Sequence, residues 1–269
     1  MMLKRGGKSG YSLVEMLIAM AIIGLMASAV AGVYQVSHQT YIRAGSLEAA
    51  QTGARAGLDR MASELRLIGS FWVGASGAGN AITVATSTSI TFMASVDDSS
   101  VINGAEATPN PTTTGNSVPL SITAGQTGDA FKIYVSNPNL NNDFIYIANG
   151  GRREVKRITG INGSTLTLAS ALSSPYPAAG SLVRDVKRIT YTRNAADNTL
   201  TRSQGGSVAD PVVDGVSALT FTYFDTVGGA LGANPDPSII REIQIDLTVQ
   251  GADSSARRMT TRVRPRSLP

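Results

Sequence analysis

The hydrophobic positions of this chain change period twice. From Met16 to Val36 nearly every residue is apolar or small. At ~1.5 Å per residue, a helix of that length crosses the ~30 Å of a bilayer's hydrocarbon. From Leu47 the apolar residues thin to a stripe at 3–4 spacing, namely Leu47, Ala54, Leu58, Met61, Leu65 and Ile68, with Gln51 in one slot. That spacing marks one face of a helix. Glu48, Arg55, Asp59, Arg60, Glu64 and Arg66 lie off the stripe, and Arg60 and Glu64, one turn apart, are expected to pair on the exposed side. Gly45, Gly53 and Gly57 weaken the intrinsic helix, so packing must sustain it. Gly69 and the glycine-rich stretch from Gly74 to Asn80 supply the stop signal. The pattern predicts one long helix from about Ser12 to Ile68.

After Trp72 the period falls to two. Ile82 and Val84, Ile90 and Phe92, and Phe131, Ile133 and Val135 alternate with small or polar residues, and Phe144 to Ile147 is a short apolar run. Ile158 to Leu168 reads as a hairpin turning at Asn162-Gly163. Ile189 and Tyr191 form another strand, followed by a turn at Asn194 to Asn198 and a strand at Leu200. Leu219, Phe221 and Tyr223 alternate. So do Ile243, Ile245, Leu247 and Val249 against Glu242, Gln244, Asp246 and Thr248, before Met259, Thr261 and Val263 return. Ser95–Val118, Ser173–Gly180 and Asp225–Ser238 read as loops. The expected class is α+β, a long N-terminal helix packed on a β-rich head.

Composition changes the picture in two respects. The chain of 269 residues has no Cys, which excludes a disulfide framework and a thiolate metal site. Its net charge of +4 permits anionic partners without requiring them. Charge order matters more. Lys4, Arg5 and Lys8 precede the apolar run, so the leader is expected to stay cytoplasmic and everything after Val36 to lie outside.

The most informative residue is Glu15, a single carboxylate where the apolar span begins. A charge in a span is costly and needs a partner. It stands five residues beyond Gly10, which closes the basic leader Lys4-Arg5-Gly6-Gly7-Lys8-Ser9-Gly10. An ordinary secretory signal could use Ala27-Ser28-Ala29 as a cleavage site, but the apolar run continues past it. A plain membrane anchor explains the length and not Glu15.

This arrangement resembles the leader of type IV prepilins and type II secretion pseudopilins. The resemblance implies cleavage between Gly10 and Tyr11 by a prepilin peptidase, N-methylation of Tyr11, and a role for Glu15 in subunit assembly. Tyr11 stands where Phe or Met is commoner. Further on, the run Arg55 to Gly69, the pair Ile189-Thr190-Tyr191-Thr192 with Leu200-Thr201-Arg202, Val216 to Phe224, and Val263-Arg264-Pro265-Arg266 resemble PilW-like minor pilins and GspJ-like pseudopilins. The implied fold is pilin-like. Residues 1–10 would be the leader, 11–69 the long helix with its membrane segment at about 13–36, and 70–269 the extracytoplasmic head.

Other chemistry is thin. His38 is the only histidine and falls just past the span, where a polar anchor is the natural reading and a Ser-His-Asp site is not. Gly7-Lys8-Ser9 lacks the first glycine of a phosphate loop, since Met2 occupies its place. Asp97-Asp98 and Asn137 to Asp143 offer oxygen ligands without the spacing of a calcium loop. Arg152-Arg153 with Lys156-Arg157, and Arg257-Arg258 with Arg262, Arg264 and Arg266, could meet nucleic-acid phosphates, but strand alternation makes them a solvated surface first. No catalytic residues, metal or cofactor are expected. The resemblance implies as partners the prepilin peptidase, other minor pilins, the major pilin, the inner-membrane assembly platform and inner-membrane lipid. The expected function is that of a minor pilin that starts or caps a type IV pilus. The alternatives are a secretion pseudopilin, or an adhesin or DNA-binding module carried on a filament.

Overall fold

The structure, a computed structural model, describes residues 12–96, 108–109, 115, 117–121, 143–162, 165–177, 180–205, 208–251 and 255–268. The leader, Gly10, Tyr11, Asp97-Asp98, the expected strand at Phe131–Val135, the oxygen-rich residues 137–142 and Gly163 lie outside the described residues. The protein is α+β. One helix, α1, runs from Leu13 to Arg66 over 54 residues, and a β-rich part follows. The chain divides into two compact units, residues 1–49 and 50–269.

In the first unit the apolar side chains of α1, from Leu13 and Val14 through Val36 to Ile42, are exposed. The helix contains a stretch long and apolar enough to cross a membrane. Among the described residues nothing buries that surface, as expected of a segment whose solvent is lipid.

The second unit begins with the last turns of α1. Here the expected stripe is the buried face: Ala54, Leu58, Met61, Leu65 and Ile68 are all in the core, and Leu47, in the first unit, is half-buried. α1 ends at Arg66, followed by tight turns through Gly69. Gly69 has φ +78° and donates its N–H to the Met93 carbonyl at 2.8 Å, a left-handed conformation in which glycine carries no steric penalty. Phe71 adopts φ +56° without that freedom. Its ring is held against Tyr146 and under the Arg184 guanidinium, 5.4 Å from the ring centre.

Among the described residues there are thirteen strands, in two sheets. They are β1 (Ile82–Ala85), β2 (Ser89–Ala94), β3 (Thr108–Pro109), β4 (Ser117–Ser121), β5 (Asp143–Asn149), β6 (Arg152–Asn162), β7 (Thr165–Leu168), β8 (Ser181–Asn194), β9 (Thr199–Gln204), β10 (Asp210–Val213), β11 (Val216–Phe224), β12 (Glu242–Gln250) and β13 (Ala256–Val263). The first ten form one sheet in the order β1-β2-β8-β5-β6-β7-β4-β3, with β9 and β10 branching from β8. The branch arises because β8 is long. Its first half pairs with β5 and its second half with β9. β11, β12 and β13 make the second sheet, antiparallel throughout.

Both sheets share one core with the end of α1. Ile90, Phe92, Ile189, Tyr191 and Leu200 meet Leu219, Phe221, Tyr223, Ile243, Ile245 and Leu247 in it. On β12 the alternation is as read from the sequence, with Ile243, Ile245, Leu247 and Val249 fully buried. The structure also departs from the reading. The expected loop Ser95–Val118 contains β3 and the start of β4. β10 was not visible as a strand, because Asp210-Pro211 reads as a turn. β8 begins at Ser181, eight residues before the alternation at Ile189 was recognised.

Gly57 has a reason that helix propensity did not suggest. A Cβ there would lie 2.1 Å from Cγ2 of Val213 on β10, whereas one at Gly53 would meet nothing within 4 Å. Gly57→Ala is therefore expected to destabilise the head by about 1–3 kcal/mol through overpacking. Gly53→Ala should stabilise it by up to about 1 kcal/mol through helix propensity. Chemical unfolding of the detergent-solubilised chain separates the two. Equal effects of the same sign would mean that β10 does not seat on α1 at Gly57.

Candidate functional site

Two places on α1 carry the chemistry of interest. The first is its N-terminus. The Ser12 backbone N–H donates to Glu15 Oε2 at 3.0 Å, and Ser12 Oγ accepts from the Val14 N–H at 3.3 Å. This is a capping box, in which Ser and Glu three residues apart satisfy two backbone donors that the helix leaves open. The Ser12-x-x-Glu15 spacing is the sequence signal for it. The capping bond draws the Glu15 carboxylate back toward the start of the helix. Any amine freed at Tyr11 is covalently adjacent to Ser12. His38, further along, stacks beside Tyr34 with ring centres 6.0 Å apart and is exposed.

The second place is the other end of α1, and here the sequence reading is corrected. Glu64 does not sit on the exposed side. It is buried, 5% exposed. Arg60 does reach its Oε1, at 3.3 Å. Its Oε2, however, accepts from the Tyr191 hydroxyl at 2.9 Å and from Arg202 Nε at 2.8 Å. Tyr191 on β8 and Arg202 on β9 are directly opposite each other in the ladder, so one hairpin presents both donors to one carboxylate. The hairpin is built for this. Arg193 donates to the Asn198 side chain and the Val216 carbonyl, and Asn194 to Asp197, which ties down the turn. Asn198 takes the left-handed conformation, φ +52°, that Asn tolerates better than most residues. Burial alone would weaken the charge on Arg202, but the hydrogen bond and negative charge of Glu64 outweigh it, and its pKa is raised. Burial, and then the Glu64 charge, push the Tyr191 hydroxyl well above its ordinary range, so it remains a donor.

Two further carboxylates are buried in the head. Glu154 on β6 accepts from the backbone and hydroxyl of Ser173 and from Tyr176, and pairs with Lys156 at 3.4 Å. Asp246 on β12 accepts from Thr260, Gln244 and Arg258. For Glu154, burial opposes ionisation, yet the bonds from Ser173, Tyr176 and Lys156 prevail and its pKa is lowered. The same balance lowers Asp246, through Thr260, Gln244 and Arg258. A depressed carboxylate contributes stability that is complete above its unfolded pKa, ~4.3 for Glu and ~3.9 for Asp. That stability is lost as pH falls through the lower folded value. The head should therefore melt at progressively lower temperature as pH drops from about 5 toward 3. Glu154→Gln should flatten that dependence in thermal unfolding scans. A melting temperature independent of pH across that range would contradict the assignment.

The basic residues are only partly a free surface. Arg258 is 2.9 Å from Asp246 and Arg262 is 3.3 Å from Glu242, while Arg152, Arg153, Arg157, Arg257, Arg264 and Arg266 are exposed. Among the described residues no three of His, Asp and Glu converge so as to hold a metal ion.

With this geometry in place, comparison with known proteins is informative at one end of the chain. Residues 5–31 match the family described as the prokaryotic N-terminal methylation motif. This stretch holds the prepilin and pseudopilin signal, and it includes Gly10, Tyr11 and Glu15. The chain is thus pilin- or pseudopilin-like. The signal implies processing by a prepilin peptidase and assembly with other pilins. Together with the apolar half of α1, it is consistent with inner-membrane anchoring. Comparison with curated proteins and with solved structures finds no match.

Proposed function

We propose that this protein is a minor pilin, PilW-like, that assembles with other pilins to initiate or cap a type IV pilus. The observation that carries the reading is the methylation signal at residues 5–31, which runs into the apolar stretch of α1. In this reading the peptidase cuts between Gly10 and Tyr11, Tyr11 is methylated, and the head stands outside the cytoplasm. Glu15 meets the terminal amine of its own or a neighbouring subunit on the inner-membrane assembly platform. In this reading the role is structural.

Three features support low copy number at or near a filament end. The head of about 200 residues exceeds the ~100–150 typical of a domain, and repeating it in every subunit would crowd a thin filament. The helix end and the Tyr191/Arg202 hairpin, two of the segments that resemble PilW-like and GspJ-like proteins, meet at Glu64. Glu15 is retained, which suits a subunit with another above it. Quantitative mass spectrometry of sheared filaments is expected to find this chain far below the main filament protein, and deletion of the gene should reduce filament number. A copy number equal to the main subunit would make it a major pilin. Loss of protein secretion with pili intact would place it instead in a secretion pseudopilus.

A further inference from the structure

We propose that β13 is a docking edge for an acidic, extended segment of a neighbouring subunit. The inference rests on the assembly reading above and adds the surface and its chemistry. Open sheet edges invite strand pairing, and proteins ordinarily blunt them with proline, bulges or very short strands. The other edges here are blunted. β1 has a register shift between Ile82 and Val84. β10 carries Pro211 and a shift beside it. β3 is two residues long and ends in Pro109. The outer side of β11 is occupied, with Val216 and Phe221 donating to the carbonyls of Asn198 and Ser87, and Tyr223 accepting from Leu231.

β13 has none of these devices. It is eight residues long, contains no proline and pairs with β12 in unbroken register from Ala256 to Val263. Among the described residues, no backbone bond is made on its outer side. Arginines could themselves guard an edge, but Arg258 and Arg262 are drawn back onto Asp246 and Glu242 of β12, and Arg262 also covers the Phe224 ring at 4.2 Å. Among the described residues the edge is left uncovered.

Charge selects the occupant. Arg257 and Arg264 flank the edge, exposed and without a carboxylate partner among the described residues. The Arg266 N–H bonds to the Arg66 carbonyl at 3.1 Å, which brings two more exposed arginines beside it. A second copy of the chain fits poorly, because β13 carries Arg257, Arg258 and Arg262 and no carboxylate, so a β13–β13 pair brings like charges together, and like charges across a ladder destabilise it. A strand bearing Asp or Glu at those positions gains the pairs that a second copy forfeits.

Amide hydrogen exchange on the detergent-solubilised full chain tests this. The probes are an eight-residue peptide alternating Glu with Val, matched to the length of β13, its Lys/Val counterpart, and a short DNA duplex. The Glu/Val peptide is expected to slow exchange at residues 256–263. Charge reversal at Arg257 and Arg264 together should weaken that effect by about tenfold, whereas Lys at both positions should largely keep it. Protection by the Lys/Val peptide to the same degree, or by neither peptide, overturns the proposal. Occupation of the arginines by the duplex without protection of the strand makes the face a nucleic-acid surface instead. Protection that rises with protein concentration alone makes it a self-association edge. The measurement uses isolated subunits, so it can fail while filament incorporation stands.

Discussion

Arg202→Leu is expected to destabilise the head by about 3–5 kcal/mol, because it leaves the Glu64 carboxylate buried beside one neutral donor and one half-exposed arginine. Glu64 and Arg202 are nearly enclosed, with side chains 7% and 11% exposed. At such a site the penalty comes from the orphaned charge more than from the lost attraction. The informative comparison is therefore the double replacement Glu64→Leu/Arg202→Met, which removes both charges and should recover much of the loss. Tyr191→Phe removes one hydrogen bond to a charged acceptor and should cost about 1.5–3 kcal/mol. Denaturant unfolding of the solubilised chain reads all three variants. Single replacements within about 1 kcal/mol of the parent would mean that the pair contributes no more than surface ion pairs do. If the energies follow this order, the pair fixes how the end of α1 seats on the β8–β9 hairpin.

Glu15→Leu should still insert in the membrane and be cut after Gly10, giving a mature chain that starts at methylated Tyr11 by intact mass. Its incorporation into filaments should fall by at least about tenfold, the factor that about 1.4 kcal/mol produces. The reason is electrostatic. Cleavage creates a cation whose reference pKa is ~7.7–8.0, and a carboxylate in an apolar span is stable only beside such a partner. The capping box gives Glu15 a second duty, bonding the Ser12 N–H. Glu15→Gln separates the two, because Gln serves a capping box as Glu does but carries no charge. Gln should therefore preserve the helix start and fail in assembly nearly as Leu does. Normal incorporation of the Gln variant would reduce Glu15 to a helix cap. A mature start near Val30 would point to an ordinary secretory signal and remove the pilin reading altogether.

What was legible in the sequence was whatever depends on neighbours close along the chain. The basic leader, the apolar run and Glu15 are local, and the methylation signal they compose is the part that comparison recognises. The 3.6-residue stripe gave the buried face of α1, and strict alternation gave β12, because a face buried against a large core imposes its period on the sequence. β8 was half missed, since its buried Val183, Val186 and Ile189 stand three apart and Lys187 is buried among them, which breaks the period of two.

Contacts between residues distant in the chain decided the rest. Glu64 lies off the apolar stripe, so periodicity assigned it to solvent. It is buried because Tyr191 and Arg202, more than a hundred residues later, close over it. Gly57 reads as a weak point in a helix, and only the approach of Val213 shows that a side chain has no room there. The edge position of β13 is likewise invisible in its own residues, because it depends on which strands the rest of the chain sets beside it. The sequence by itself determined the long helix, its apolar stretch and the strands that alternate strictly, because propensity and periodicity act within a few residues. The tertiary structure decided which charges are buried and which edge is left unpaired, because both depend on what the remainder of the chain places against them.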